Sequence, residues 1–128
     1  NDKDNFLEAD VRTWGGVMAA WASSGRTDAP ERIQQLMKRL EEMKQAQDLV
    51  GEFATSTYNQ LLSAYSNQHT VQAAQLAEDL FHWMEGQSDE KLHPNSDSCL
   101  SVVLAWSHAG KPERSEQFLR RVYDREKR

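Results

Sequence analysis

The apolar positions along the chain follow the period of an α-helix in six segments. Three of these segments share one pattern, a small polar residue followed by an aromatic or cysteine, two aliphatic residues, an alanine and a second aromatic; they are TWGGVMAAW, TYNQLLSAY and SCLSVVLAW. Within each segment the apolar residues recur at i, i+3, i+4 and i+7, which predicts a helix with one buried face. We name them the A helices and place them at residues 13–24, 57–68 and 98–109.

A second periodic segment follows each A helix, and we name these segments the B helices. Their apolar positions are Ile33, Leu36, Met37 and Leu40 in the first; Ala73, Leu76, Ala77, Leu80, Phe81 and Met84 in the second; and Phe118, Leu119 and Val122 in the third. Gly25 and Gly110 stand where the first and third A helices should stop, because glycine readily adopts the left-handed conformation of a helix end. His69 takes this place in the middle unit.

Several residues are suited to begin the helices. Asp28, followed three residues later by Glu31, predicts a capping box, and Pro112 suits the first turn of the last B helix. The other predicted caps are Ser56 or Thr57 for the second A helix and Ser96 or Asp97 for the third.

The A and B helices form a unit that occurs three times. Trp21, Tyr65 and Trp106, which close the three A patterns, are 44 and 41 residues apart. A helix pair repeated at this period predicts an all-α fold, an α-solenoid of about three antiparallel helix-turn-helix repeats, and no stretch has the alternation of a strand. An ordinary six-helix bundle is the alternative, and it does not require the recurrence. The predicted divisions are 1–10, the tail of a preceding repeat that contains Phe6 and Leu7; 11–54, repeat 1; 55–95, repeat 2; and 96–128, repeat 3 with a basic C-terminal end.

Composition and charge restrict the possible functions. With 15 basic and 20 acidic residues the formal net charge is −5, which is not the basic footprint of a nucleic-acid-binding surface. The single cysteine excludes an internal disulfide framework and fits a reducing compartment. No apolar run approaches the roughly 18 residues that a membrane span needs. Because the chain starts at Asn1 without methionine, we expect a processed chain or a fragment.

Three motifs resemble the pentatricopeptide repeat family. They are the helix opening Thr57–Asn59 followed by Leu-Leu, the Pro94–Asn95 step before the third unit, and the Leu80–Met84 ending of the second B helix. The resemblance covers about residues 11–124, with repeats longer than the family's usual length of roughly 35. Tetratricopeptide repeats share the aromatic spacing, but the small residue expected after their first aliphatic is replaced here by Met18, Leu62 and Val103.

The resemblance implies an organellar protein, in a mitochondrion or plastid, that binds single-stranded RNA along its first helices, one base per repeat. Carried over onto this sequence, it assigns base reading to Asn59 and Asn95, whose amides can both donate and accept hydrogen bonds at a pyrimidine. The corresponding residues of the first unit, Gly15 and Ala54, and Leu100 of the third, have no polar side chain. The alternative for Asn59 is an amide that satisfies a backbone group at a helix start.

Electrostatics makes RNA binding less favourable. The three predicted A helices contain no lysine or arginine, although phosphate neutralisation dominates RNA affinity. The clearest basic cluster is at the C-terminus, and its candidate phosphate or partner contacts are Arg120, Arg121, Arg125, Lys127 and Arg128. The alternative is a solvated helix end whose cations suit the helix dipole.

Little in the sequence indicates an enzyme. His69, His82, His93 and His108 lack a paired metal-ligand spacing, and Cys99 lies alone on an apolar helix. We therefore expect no catalytic residue, no metal and no cofactor. Two hypotheses remain. The first is a module that binds single-stranded RNA in organellar RNA metabolism or translation. The second is a scaffold subunit that contacts other proteins, or ribosomal RNA without sequence preference, in a large organellar assembly.

Overall fold

The computed structural model describes residues 9–126, and within this range the chain forms six α-helices, joined by short turns within each pair and by longer segments between the pairs. The helices are α1 Val11–Ser24, α2 Ala29–Gln45, α3 Thr55–Ser66, α4 Val71–Glu85, α5 Ser96–His108 and α6 Pro112–Glu126. A short 3₁₀ helix, Glu90–Leu92, lies between α4 and α5. The prediction of an all-α fold is confirmed. None of the helices in the described range is long and apolar enough to cross a membrane.

The helices contact one another in a regular order. Consecutive helices pack as the pairs α1–α2, α3–α4 and α5–α6, and each odd-numbered helix also packs on the next, α1 on α3 and α3 on α5. The second helix of one pair contacts the first helix of the next, as α2 does with α3 and α4 with α5. Every pair therefore contributes side chains to the junction with its neighbour.

The helix starts differ from the sequence-based predictions by one or two residues. Helix α3 begins at Thr55 after an Ala54 N-cap, and Thr57 instead accepts a hydrogen bond from the Ala54 N–H, 3.2 Å away. Helix α5 is capped by Asn95 rather than by Ser96 or Asp97. The predicted capping box at Asp28 is wrong, because its carboxylate accepts from the Arg26 guanidinium at 3.1 Å and does not cap α2. Pro112 is the first residue of α6, as predicted.

Each turn after an odd-numbered helix contains one residue with a positive φ angle. Gly25, His69 and Gly110 have φ angles of 67°, 59° and 78°, all in the left-handed region. The two glycines thus end their helices as predicted. His69 adopts a positive φ without the freedom of glycine, so each of the three turns contains one left-handed residue.

Two extended segments were not predicted. Ala9–Asp10 (β1) and Leu49–Val50 (β2) pair in parallel, with Ala9 opposite Leu49 and Asp10 opposite Val50. The expectation that no stretch is a strand is therefore wrong at these four residues. Each strand is too short to show a period-two pattern in the sequence. Phe6 and Leu7, placed in the tail of a preceding repeat, lie outside the described residues.

One hydrophobic core runs through all three helix pairs. Its largest fully buried apolar side chains are Met18, Ile33, Leu40, Leu62, Met84, Val102, Trp106 and Phe118. Tyr65 and Trp106 are buried, as their helical spacing predicts, whereas Trp21 is only partly buried. Three residues predicted to line apolar faces, Val17, Leu76 and Leu119, are 39%, 49% and 47% exposed. The helical pattern therefore identified the core, but not which of its positions lack a neighbour.

Candidate functional site

The two residues assigned to base reading meet at the junction of the second and third helix pairs. Asn59 lies in α3 and Asn95 caps α5, and the Nδ2 of Asn59 donates to the Oδ1 of Asn95 at 3.2 Å. Ser98, a buried residue in the first turn of α5, donates to the Oδ1 of Asn59 at 2.6 Å. The fold therefore joins residues 36 positions apart into one polar cluster, which we call the Asn59–Asn95–Ser98 cluster.

The capping of α5 positions this cluster. The Oδ1 of Asn95 accepts from the Ser98 backbone N–H at 3.1 Å, and the Ser98 hydroxyl accepts from the Asn95 N–H at 3.0 Å. This reciprocal arrangement satisfies two amide groups that the helix itself leaves without partners. On the other side, Thr55 lies within hydrogen-bond distance of the carbonyls of Lys91 and His93 and holds the incoming loop against the start of α3.

Part of the hydrogen-bonding capacity of the cluster remains available. Among the described residues no protein group pairs with the Nδ2 of Asn95, whose side chain is exposed. Asn59 is partly buried and uses one of its two Nδ2 hydrogens. Three N–H donors can thus be offered to a ligand, while both amide oxygens already accept bonds within the protein. The alternative for Asn59 was an amide that satisfies a backbone group at a helix start, whereas its described hydrogen bonds join it to the side chains of Asn95 and Ser98.

An apolar groove of about 810 Å³ adjoins Asn95. We call it the α5–α6 groove; it is lined by Asn95, Cys99, Leu100, Val103, Leu119, Val122, Tyr123 and Arg125, with further residues of α4 and of the loop before α5. Leu100, Leu119 and Tyr123 are 55%, 47% and 59% exposed. These are large side chains to leave in water, and they lie together on one face.

The predicted basic cluster is occupied by ion pairs within the protein. Arg120 pairs with Glu116 at 2.8 Å, Arg121 approaches Glu78 at 3.4 Å, and Arg125 pairs with Glu85 at 2.9 Å. Lys127 and Arg128 lie outside the described residues. Among the described arginines of the cluster, only Arg125 also lines the groove that contains Asn95. Arg121 and Arg125 join α6 to α4, whereas Arg120 pairs within α6.

Glu78, which no sequence motif marks, lies at the centre of the contacts between α4, α5 and α6. Its side chain is buried, and its carboxylate accepts from the indole Nε1 of Trp106 at 3.0 Å and approaches Arg121 and the His82 ring. A carboxylate is this deeply buried mainly when it is hydrogen-bonded and paired with a cation. In the sequence, Glu78 could have been found from its spacing, because it lies 44 residues after Gln34, which contacts Tyr65 in the preceding junction.

A smaller depression is lined by the aromatic residues Phe53, Tyr58 and Trp83. Tyr58 and Trp83 stand with ring centroids 5.2 Å apart, and Trp83 is 45% exposed. Burial, with a smaller effect from the nearby Glu41 charge, raises the pKa of Tyr58. At the rim the hydrogen-bonded ion pair between Lys91 and Glu52 lowers the pKa of Glu52 and raises that of Lys91.

Two of the histidines lie close to backbone carbonyls. His108 approaches the Ser66 carbonyl at 2.9 Å and stacks on His69, with ring centroids 4.5 Å apart. His93 approaches the Gln87 carbonyl at 2.7 Å. No group of three or more metal-ligating side chains occurs in residues 9–126. Arg12 lies just before the first predicted A helix, residues 13–24. In the structure it falls within α1 and pairs with Asp10 at 3.3 Å.

No protein-family model matches the chain, and searches of curated proteins and of solved structures give no match.

Proposed function

We propose that the chain is a helical-repeat binding module, a pentatricopeptide-like α-solenoid of three antiparallel helix pairs. The proposal is supported by equivalent contacts at its two junctions. Tyr65 of α3 contacts Gln34 of α2, and Trp106 of α5 contacts Glu78 of α4. Gln34 and Glu78 are 44 residues apart, and Tyr65 and Trp106 are 41 residues apart. The sequence pattern recurs by these same two steps, so the second junction repeats the contact of the first.

The proposed ligand is single-stranded RNA, and the observation that carries it is the meeting of Asn59 and Asn95. Two amides from adjacent repeats at one exposed position can face the pairing edge of a base, where their free N–H groups donate to carbonyl oxygens or ring nitrogens. Because three donors and few acceptors remain, we expect a base rich in acceptors on that edge, such as uracil, to bind better than adenine.

Phosphate contacts contribute little to this interaction. Helices α3 and α5 carry no lysine or arginine, and Arg120, Arg121 and Arg125 of α6 are paired with glutamates. The logarithm of affinity for single strands falls with the logarithm of salt by roughly 0.7 per neutralised phosphate. We therefore expect weak binding with a slope corresponding to about one phosphate contact, far below that of a basic RNA-binding surface.

Fluorescence anisotropy with labelled short oligouridine and oligoadenine, at two salt concentrations, tests the proposal. Asn95→Ser keeps a good N-cap for α5 and removes the two exposed amide donors, so it should weaken oligouridine binding without unfolding the chain. Asn59→Ala should weaken it as well. Gln75→Ala removes an exposed amide on α4 and is the matched control. Absence of binding at low salt, or equal loss with Gln75→Ala, contradicts the proposal.

A second candidate is a scaffold that contacts other proteins of a large mitochondrial or plastid assembly. It is favoured by the pairing of the α6 arginines within the protein and by the apolar residues exposed at the α5–α6 groove. Co-purification of the native protein with a defined set of partners, unchanged by ribonuclease, is the outcome expected from this candidate and not from the first.

A further inference from the structure

The two segments that connect the helix pairs both line the smaller depression, whose volume is about 470 Å³. Phe53 comes from the segment before α3, Tyr58 from α3 and Trp83 from α4. The ion pair between Lys91 and Glu52 joins the two connecting segments at the rim. We call this site the aromatic depression. Its volume falls within the roughly 300–1,000 Å³ of small-molecule sites in proteins.

The three aromatic rings of the depression are not parallel. The planes of Phe53 and Tyr58 stand at 85° to each other with ring centroids 6.4 Å apart, and those of Tyr58 and Trp83 stand at 50°. Trp83 is 45% exposed, so much of its ring surface is in contact with water. Rings set at an angle around one space form an aromatic cage, the arrangement by which proteins recognise quaternary ammonium groups.

A cation of the protein already stands over one of these rings. The Nζ of Lys44, an exposed residue in the last turn of α2, lies 5.4 Å from the centroid of the Phe53 ring. At this distance the ammonium is attracted by the negative face of the π system. The face of Phe53 is therefore accessible to a cation, and a cationic ligand would compete with Lys44 for it.

The charges around the depression favour a positively charged ligand. Among the described lining residues, three carboxylates face two lysines. Glu52 pairs with Lys91, and Asp89 accepts a hydrogen bond from the Lys91 backbone N–H at 3.0 Å. Glu41 forms no ion pair with a lysine or arginine of residues 9–126. Burial raises the pKa of Tyr58 and the Glu41 charge raises it further, which places this carboxylate near the ring.

We propose that the aromatic depression binds the trimethylammonium group of a methylated lysine on a partner protein. The rings attract the cation, and Glu41 supplies an opposite charge without a competing partner. A trimethylammonium group has no N–H donor to satisfy, whereas the ammonium of an unmodified lysine is strongly hydrated and loses that water on binding. A phosphocholine headgroup is disfavoured, because its phosphate would approach the carboxylates of the rim. The proposal does not depend on RNA binding.

NMR titration of the ¹⁵N-labelled chain with Nα-acetyl-trimethyllysine amide tests this proposal. The chain has four tryptophans, and the indole signal of Trp83 is identified by its absence in Trp83→Leu. This signal should shift and saturate, while the other three indole signals stay in place. Acetyl-lysine amide, phosphocholine and the neutral analogue with carbon in place of the ammonium nitrogen should each bind at least about fivefold more weakly.

Substitutions around the depression should change this affinity in both directions, measured from the backbone amide signals of residues 86–92. Trp83→Leu keeps an apolar side chain and removes the ring, so it should weaken binding about fivefold. Glu41→Gln should also weaken binding. Lys44→Gln removes the cation that competes for Phe53 and should strengthen binding severalfold. Glu42→Gln, at the neighbouring exposed carboxylate outside the depression, is the matched control and should leave the affinity unchanged.

Several outcomes would overturn the proposal. They are an unshifted Trp83 indole, equal or tighter binding of the neutral analogue or of phosphocholine, an unchanged affinity in Lys44→Gln, and equal losses in Glu41→Gln and Glu42→Gln. Circular dichroism verifies that each variant is folded; if Trp83→Leu is not, the substitutions at the exposed Glu41 and Lys44 carry the test with opposite expected signs.

Oligouridine anisotropy separates this site from the proposed RNA site. Trp83→Leu should bind oligouridine like the unmodified chain, and Asn95→Ser should bind the trimethyllysine probe like the unmodified chain. A loss of oligouridine binding in the folded Trp83→Leu would show that the depression serves the RNA instead, and would overturn the assignment to a methylated lysine.

Discussion

Replacing Glu78 by alanine should destabilise the protein strongly, because this buried carboxylate joins three helices. Its side chain on α4 accepts a 3.0 Å hydrogen bond from Trp106 of α5 and lies 3.4 Å from the guanidinium of Arg121 on α6. Glu78 itself is 5% exposed and Trp106 is 1% exposed, so water cannot replace the lost acceptor.

The magnitude follows from these contacts. A buried donor left without an acceptor costs about 1–3 kcal/mol. The contact with Arg121, whose side chain is more than half exposed, adds at most about 1 kcal/mol. We expect Glu78→Ala to lower the free energy of unfolding by about 3 kcal/mol in total. Glu78→Gln keeps a carbonyl acceptor for the indole and loses only the ion pair, so it should cost about 1 kcal/mol or less.

Urea denaturation followed by circular dichroism measures both changes. Asp79→Ala, at an exposed carboxylate on the same helix, is the control and should change stability by less than about 0.5 kcal/mol. A double-mutant cycle with Trp106→Phe should give a coupling energy with Glu78→Ala of about 1–3 kcal/mol. Equal losses in the glutamine and alanine variants, or a coupling energy near zero, would refute this account of the buried carboxylate.

Two further predictions concern backbone conformation and pH. Gly25→Ala should lower the free energy of unfolding by about 1 kcal/mol, because Gly25 has a φ of 67° that strains a residue with a Cβ. Gly15→Ala should raise the free energy of unfolding by about the same amount, because Gly15 lies inside α1 with open space around the new Cβ. Urea denaturation that shows the same sign of change for both variants contradicts this prediction. Burial raises the pKa of Tyr65, so the unfolded chain loses this proton first and stability should fall as pH rises above about 10. Tyr65→Phe should flatten that part of the stability–pH curve, and an unchanged slope in urea denaturation between pH 9 and 11 would count against it.

The helices and their turns could be predicted from the sequence because the information is local. Apolar residues at helical spacing lie on one face whatever the rest of the chain does, and Gly25 and Gly110 end helices through their own backbone freedom. The first residue of each helix was harder to predict from the sequence. Asn95, one residue before the predicted cap of α5, became the cap, since neighbouring polar residues compete for that position on small energy differences.

Only part of the candidate site could be predicted from the sequence. Motif resemblance named Asn59 and Asn95, yet only the packing of α3 against α5 places their amides 3.2 Å apart and commits both oxygens to Ser98 and the cap. Which donors remain for a ligand depends on contacts between residues far apart in the sequence. Composition and spacing do not contain that information.

Local sequence patterns were enough to predict an all-α chain and the residues of its apolar faces. Which of these faces are covered depends on the tertiary structure. Val17 and Leu61 occupy equivalent positions, but Val17 is 39% exposed and Leu61 is 6% exposed, because a helix pair precedes α3 and no described pair precedes α1. Likewise Arg121 and Arg125 resemble free cations in sequence and are joined to Glu78 and Glu85 in the fold. Burial and ion pairing depend on neighbours that lie some 40 residues away along the chain, and folding is what brings them together.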